Sequence, residues 1–171
     1  MKQIIKIKKL TACMLFLITA NAFAACKAEI SRPDSRYEIQ NNGSEVKDLK
    51  TGLIWQRCLV GMKFENNQCT GVAKLQNWKT LMKEGKNQGW RVPNIKELQT
   101  LVDRACSDPA INGKIFPNLD VTEITASSTL VLIDSKTEIT EIQYIDFKNG
   151  KGLSREIIDN NNAYFNTRLV K

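Results

Sequence analysis

Hydrophobic and polar positions alternate in three short runs, Tyr37–Gln40, Val46–Asp48 and Leu53–Gln56, separated by Asn41-Asn42-Gly43 and Thr51-Gly52. Alternation punctuated by Asn-Gly-type turns predicts antiparallel strands. From Val72 to Glu84 the apolar positions change to helical spacing, at Val72, Leu75, Trp78, Leu81 and Met82, and the pattern stops at Gly85. This predicts a first helix with Gly85 as its terminator. A second helix is expected from Ile95, through Leu98, Leu101, Val102 and Ala105, with Asn94 before it as cap and Glu97 placed to return the capping bond. Cys106 to Leu119 is rich in Pro, Asn, Asp and Gly and reads as an ordered loop with one short helical turn. Strand-like runs of β-branched and aromatic residues resume at Thr129–Ile133, Glu141–Phe147 and Tyr164–Val170, with a turn at Lys148-Asn149-Gly150 leading to Leu153. Asp159-Asn160-Asn161-Asn162 reads as a solvated loop, and no internal repeat is present. The order of strands, two helices, loop and strands predicts an α+β fold: one domain, an antiparallel sheet and two helices.

The first residues change the boundaries of that domain. A basic head over residues 1–9, an apolar run from Leu10 to Ala20 and the small residues of Ala22-Phe23-Ala24 have the layout of a signal peptide, with cleavage expected after Ala24. The apolar run falls short of the roughly 20 residues that span a bilayer, so the membrane is expected to matter only during export. Lipidation of Cys26 is disfavoured by Phe23, which stands where a lipobox takes an aliphatic residue. The expected mature domain is residues 25–171, exported to the periplasm, the outer surface or the medium.

Export also changes the charge. The chain carries 25 Lys+Arg against 18 Asp+Glu. Lys2, Lys6, Lys8 and Lys9 leave with the signal, which takes the side-chain charge from +7 to +3. A domain this mildly basic gives no electrostatic case for nucleic acid. The sequence contains no His, which excludes Ser-His-Asp and Cys-His nucleophile pairs and His-ligated zinc. Of five cysteines, Cys13 leaves with the signal, and four in an oxidising compartment read as two disulfides. Cys58 and Cys69 flank a short Gly- and Asn-containing stretch and can close a local loop, which leaves Cys26 to pair with Cys106. A metal site from these thiols is not expected, because no Cys-x-x-Cys pair accompanies them.

Several landmarks occur in one order: Asp48-x-x-Thr51-Gly52-Leu53-Ile54-Trp55-Gln56-Arg57-Cys58, Cys69-x-Gly71, Trp90-Arg91-Val92-Pro93-Asn94-Ile95-Lys96-Glu97-Leu98, Phe116-Pro117-Asn118, Ser127-Ser128-Thr129, Ile145-Asp146-Phe147-x-x-Gly150 and Arg168-Leu169-Val170-Lys171. The set resembles the Lcl C-terminal domain family, named from the C-terminal domain of collagen-like bacterial adhesins. It covers nearly all of the chain from Val46 onward. The resemblance implies a small disulfide-bonded α+β domain of C-type lectin-like fold in secreted or surface proteins, and the family's named example binds sulfated glycosaminoglycans and acts in adhesion. This sequence departs from the pattern in two ways: Thr125-Ala126 stand where the family usually has Tyr-Trp before Ser-Ser-Thr, and no collagen-like stalk is present. The calcium-site motifs Glu-Pro-Asn and Trp-Asn-Asp are absent too, so calcium-dependent sugar binding is not expected.

Taken one by one, most of the conspicuous residues read as structural. Trp55, Trp78 and Trp90 fall where core aromatics belong. Arg91, ahead of Pro93 and Glu97, is expected to clamp a turn or to pair with a buried carboxylate such as Asp48. Lys79 and Lys83, four apart on the first expected helix, with Lys86 just beyond, form the best basic patch, and ammonium groups as point charges suit spaced sulfates or phosphates. The carboxylate pairs Glu138 with Glu141 and Asp103 with Asp108 read as ordinary surface acids, and Gly-rich phosphate loops and the Gly-x-Ser-x-Gly elbow are missing. The expectation is a non-enzymatic, adhesin-like binding module with no catalytic residues, metal or cofactor. Its expected partner is a glycosaminoglycan-like glycan or another extracellular polyanion. The alternative is an accessory domain that binds another protein in an envelope or pilus assembly.

Overall fold

The computed structural model describes residues 25–117, 124–134, 139–157 and 164–171. The expected signal segment with Cys13, and with it Asn118, Glu138 and the Asp159–Asn162 loop, lies outside these residues. In chain order, β1 (Ala25–Cys26) is followed by a three-stranded antiparallel meander of β2 (Tyr37–Gln40), β3 (Glu45–Asp48) and β4 (Ile54–Gln56). These are the three alternating runs, and their register places Val46 opposite both Ile39 and Trp55. The first turn works because Asn41 and Asn42 tolerate positive φ, at 47° and 51°.

Next comes a hairpin of β5 (Lys63–Glu65) and β6 (Gln68–Thr70), where the sequence suggested only a local loop. Its two turn residues, Asn66 and Asn67, both have positive φ, 51° and 61°, as a tight primed turn requires. The Cys58–Cys69 disulfide closes its base, and Cys26 pairs with Cys106 as expected.

The first expected helix needs correction. Between Val72 and Glu84 only α1 (Trp78–Leu81) is α-helical, and Gln76–Asn77 form a short strand, β7, before it. Val72 and Leu75, which the spacing assigned to a buried face, are 83% and 64% exposed. Asn77 explains the late start: its side chain accepts the Thr80 N–H, so the helix is capped there rather than at residue 72. The last turn tightens, with Lys83 N bonding Thr80 O and Glu84 N bonding Leu81 O.

The second helix, α2 (Ile95–Leu101), has the full capping box of Asn94 and Glu97. It ends earlier than its apolar spacing suggests, because Val102 turns to extended backbone and Asp103 takes over as an acceptor. β8 (Cys106–Ser107) then pairs with β1, so that Cys26 and Cys106 are direct register partners. In the following loop Phe116 N bonds Asn112 O, which is the single helical turn expected there. A second antiparallel meander consists of β9 (Ile124–Asp134), β10 (Ile139–Asp146) and β11 (Lys151–Ile157), and β12 (Tyr164–Phe165) pairs with β7. The architecture is α+β, assembled from several small antiparallel sheets rather than one. No described helix is long and apolar enough to cross a membrane.

Two hydrophobic clusters fill the interior. One gathers Tyr37, Val46, Trp55, Leu98, Leu101, Phe116 and Ile145, and the other Leu81, Trp90, Ile142, Tyr144, Phe165 and Leu169. Strand β10 supplies both, with Ile142 and Tyr144 to one and Ile145 to the other. The chain's last residues lie between them. Beyond β12 the expected strand does not continue as a regular ladder, but Val170 exchanges both main-chain bonds with Arg91, Lys171 exchanges both with Ile54, and Gln56 N reaches Leu169 O. Arg168 is buried in this segment, donating to the carbonyls of Gln56 and Arg57 with its guanidinium 4.6 Å from the Phe116 ring centroid. The buried guanidinium of Arg57 donates to the carbonyls of Ile115, Gly43 and Lys114. The planar forks of these two side chains thus satisfy main-chain acceptors inside the fold.

Candidate functional site

Two segments that cross near Val60 border an open cavity of about 350 Å³. Val60 N bonds Thr167 O on the C-terminal side, and Lys74 N bonds Val60 O on the other, at 3.0 and 2.8 Å. Gly61 permits that crossing. Its φ is +96°, and a Cβ there would lie 2.6 Å from Lys74 Cγ and 2.8 Å from Lys74 N. Opposite, Gly85 has φ +71°, and a Cβ would lie 2.5 Å from Trp90 Cβ and 2.6 Å from Leu169 Cδ1. Both glycines line the cavity, whose apolar floor is Leu59, Val60 and Leu169.

Lys74, Lys83 and Lys86 contribute to the cavity wall, together with Glu84. Lys83 and Lys86 therefore line the same cavity. Lys79 is exposed but is not part of the lining, because the helix that was to align it with Lys83 is a single turn that tightens before residue 83. Lys74 replaces it. Nothing in the local spacing connects Lys74 to Lys83; the connection is the Lys74–Val60 main-chain bond, a tertiary feature. The amides of Gln56, Asn87 and Gln88 complete the polar lining.

A second cavity of about 260 Å³ adjoins the first and shares Gln56, Met62 and Gln88 with it. Asn41, Ser44, Glu45 and Trp90 line it. Glu45 is bonded on one oxygen by Asn41 Nδ2 at 2.8 Å and on the other by Lys171 Nζ at 2.9 Å, and the same ammonium stands 4.3 Å from the Trp90 ring centroid.

The profile of the Lcl C-terminal domain matches residues 44–171. The chain belongs to that family. No curated protein and no solved structure matches it. All residues of the first cavity fall inside the matched Lcl C-terminal domain span, and of the second only Asn41 precedes it. Cys26 also lies outside the span, so the Cys26–Cys106 bond ties a preceding segment to the domain.

The motif residues of the Lcl C-terminal domain lie largely in the interior. Trp55, Trp90 and Pro93 are buried, and Trp78 packs half-buried with its indole N–H donating to Ser127 O at 3.0 Å. Of the two arrangements expected for Arg91, a clamped turn or a pairing with a carboxylate such as Asp48, the Asp48 pairing is not formed. Arg91 makes two 2.7 Å bonds to Glu97, whose carboxylate also accepts the Asn94 N–H of the capping box. The bonds from Arg91 hold the Glu97 carboxyl below its ordinary range against a smaller opposing effect of burial. Asp48 instead pairs with Arg36 through both oxygens. Burial opposes ionisation of Asp48, and the bonds from Arg36, the Lys50 N–H and Thr51 outweigh it, so its pKa is lowered.

Asp103 is a second correction: it is buried rather than a surface acid. Its carboxylate accepts the main-chain N–H groups of Ser31, Arg32 and Ala105 and the Ser31 hydroxyl. These bonds overcome burial and lower its pKa. Asp108 is exposed and Glu141 half-buried. Among the described residues no group of three or more His, Cys, Asp or Glu side chains is placed to hold a metal ion.

Proposed function

We propose that the chain is an exported, non-enzymatic binding module that recognises a polyanionic glycan through the lysine-bearing cavity. The observation that carries this is the convergence of Lys74, Lys83 and Lys86 on one cavity that Gln56, Asn87 and Gln88 also line. Ammonium groups on flexible stems attract sulfate or phosphate as point charges without the fixed geometry a guanidinium imposes. The buried arginines, by contrast, are committed to main-chain carbonyls. Membership of a family named from adhesins and two disulfides suited to an oxidising compartment support export and adhesion. The C-type lectin-like scaffold is part of the same proposal, supported by the return of the C-terminal segment beside β4.

The test is retention of the oxidised protein on immobilised heparin at low and moderate salt. Salt-sensitive retention is expected, lost in Lys83→Glu/Lys86→Glu and largely kept in Lys79→Glu. Absence of retention at low salt, or equal loss in Lys79→Glu, overturns the reading. A protein partner is the second reading, favoured by the exposure of Val72, Leu75 and Tyr164. The last of these is the register partner of Asn77, two residues beyond Leu75. Such binding would lose little affinity on adding salt.

A further inference from the structure

We infer that the two adjoining cavities divide one glycan between them: the lysine-bearing cavity takes a sulfate or phosphate, and the Glu45–Trp90 cavity takes the neighbouring uncharged sugar and rejects a second anion. The inference rests on the polyanion reading above and names its ligand class, a chain in which anionic and uncharged hydroxylated units adjoin.

The two cavities share Gln56, Met62 and Gln88, so a ligand leaving the first enters the second across two amides. An amide both donates and accepts, which suits sugar hydroxyls. Charge separates the two spaces. Among the described residues, three lysines and one glutamate line the first, whereas the second is lined by the Glu45 carboxylate and by no lysine or arginine. Lys171 and Asn41 already satisfy both oxygens of Glu45, and the Lys171 ammonium stands over Trp90. An anion entering here would compete with Glu45 for Lys171 and face like charge. A hydroxyl meets no such opposition, finding Ser44 and the amides of Gln56 and Gln88. Glu45 is thus a specificity determinant, set against the most heavily sulfated polymers.

The experiment measures affinities of the oxidised protein for inorganic sulfate, for a keratan-type tetrasaccharide in which sulfated and uncharged sugars alternate, and for a heparin tetrasaccharide charged at every unit. Glu45→Gln is expected to tighten heparin binding about fivefold, through removal of like charge, with little change for the alternating chain. Glu38→Gln, an exposed acid on β2 outside both cavities, is the charge control and is expected to shift both sugars slightly and equally. Gln88→Ala, on an exposed turn and bordering both cavities, is expected to weaken the alternating chain about fivefold, the worth of one hydrogen bond, and inorganic sulfate by less. If Lys83→Glu/Lys86→Glu abolishes sugar binding but Glu45→Gln acts like Glu38→Gln, or if Gln88→Ala changes nothing, the division between cavities is wrong and the polyanion reading stands. If the wild-type protein binds none of the three probes, both fall.

Discussion

Two stretches of the chain, both bonded to Val60, are built in opposite ways. From Phe165 to Val170 every residue is buried, whereas from Gly71 to Gln88 only Leu81 is. The first is joined to β4 and to Arg91 by paired main-chain bonds. The second is held by the Lys74–Val60 bond, by the short pairing of β7 with β12 and by Trp78 bonding Ser127. Cations follow the same division: Arg168 is spent on carbonyls inside, and Lys74, Lys83 and Lys86 stand around a cavity. One stretch fixes the body of the domain and the other presents chemistry on it.

The hardest way to break this contrast is Arg168→Ala. It strands the carbonyls of Gln56 and Arg57 and empties the space beside Phe116, so a loss of about 4 kcal/mol is expected in urea unfolding. Arg104→Ala on the surface should change little. Asp48→Asn should cost about 3 kcal/mol at pH 7, because it leaves the nearly buried Arg36 without its bidentate partner. The pKa of Asp48 is lowered on folding, so its contribution is complete above the ordinary aspartate value of about 4 and is lost as pH falls from there through the depressed value. The gap between wild type and Asp48→Asn should therefore narrow progressively as pH falls below about 4, and a gap that does not narrow in acid would contradict the assignment.

At the junction of the two regions the effects should be smaller. Removing the Cys58–Cys69 bond as a double Ser variant opens a loop with a sequence separation of 11, for which chain entropy gives slightly under 3 kcal/mol. Gly85→Ala combines positive φ with contacts to Trp90 and Leu169 that are too close, and about 2 kcal/mol is expected, measured as a lower urea midpoint. The smallest effect sharpens the contrast most. Val72→Ser/Leu75→Ser should move stability by no more than about 0.5 kcal/mol, since both side chains are already exposed. A loss of 2 kcal/mol or more would mean that they lie on the buried face their spacing suggested.

Where structure was legible in the sequence, the determinants were local. Asn94 and Glu97 sit three apart and make the capping box, and the Asn-Gly turns sit between the strands they join. Cys58 and Cys69 were close enough to pair without knowledge of the fold. Apolar spacing misled at Val72 and Leu75 because periodicity says nothing of whether a partner surface exists there. The Asn66-Asn67 pair, both at positive φ, is a local hairpin determinant that the spacing of Cys58 and Cys69 alone does not express. The candidate site was half legible: Lys83 and Lys86 are near in sequence, but Lys74 arrives by a crossing that Gly61 permits, and Glu45 and Trp90 meet only across the fold. Asp48 was correctly expected to be a buried, paired carboxylate, yet its partner is Arg36, 12 residues away, rather than Arg91.

The position of Arg168, 112 residues beyond the Gln56 carbonyl that it reaches, sets an order of events. A chain emerging from its N-terminal end can form the β2–β4 meander and the capped α2 early, because their bonds are local. Phe116 and Trp55 nevertheless lack their partners Arg168 and Val170 until the end of the domain arrives. Completion of the core is therefore deferred until nearly the whole domain has emerged, and a ribosome or export channel still holding the final residues would keep the domain open. High contact order of this kind makes closure slow, which gives the thiols of Cys26 and Cys106 time to meet while the chain is still pliable.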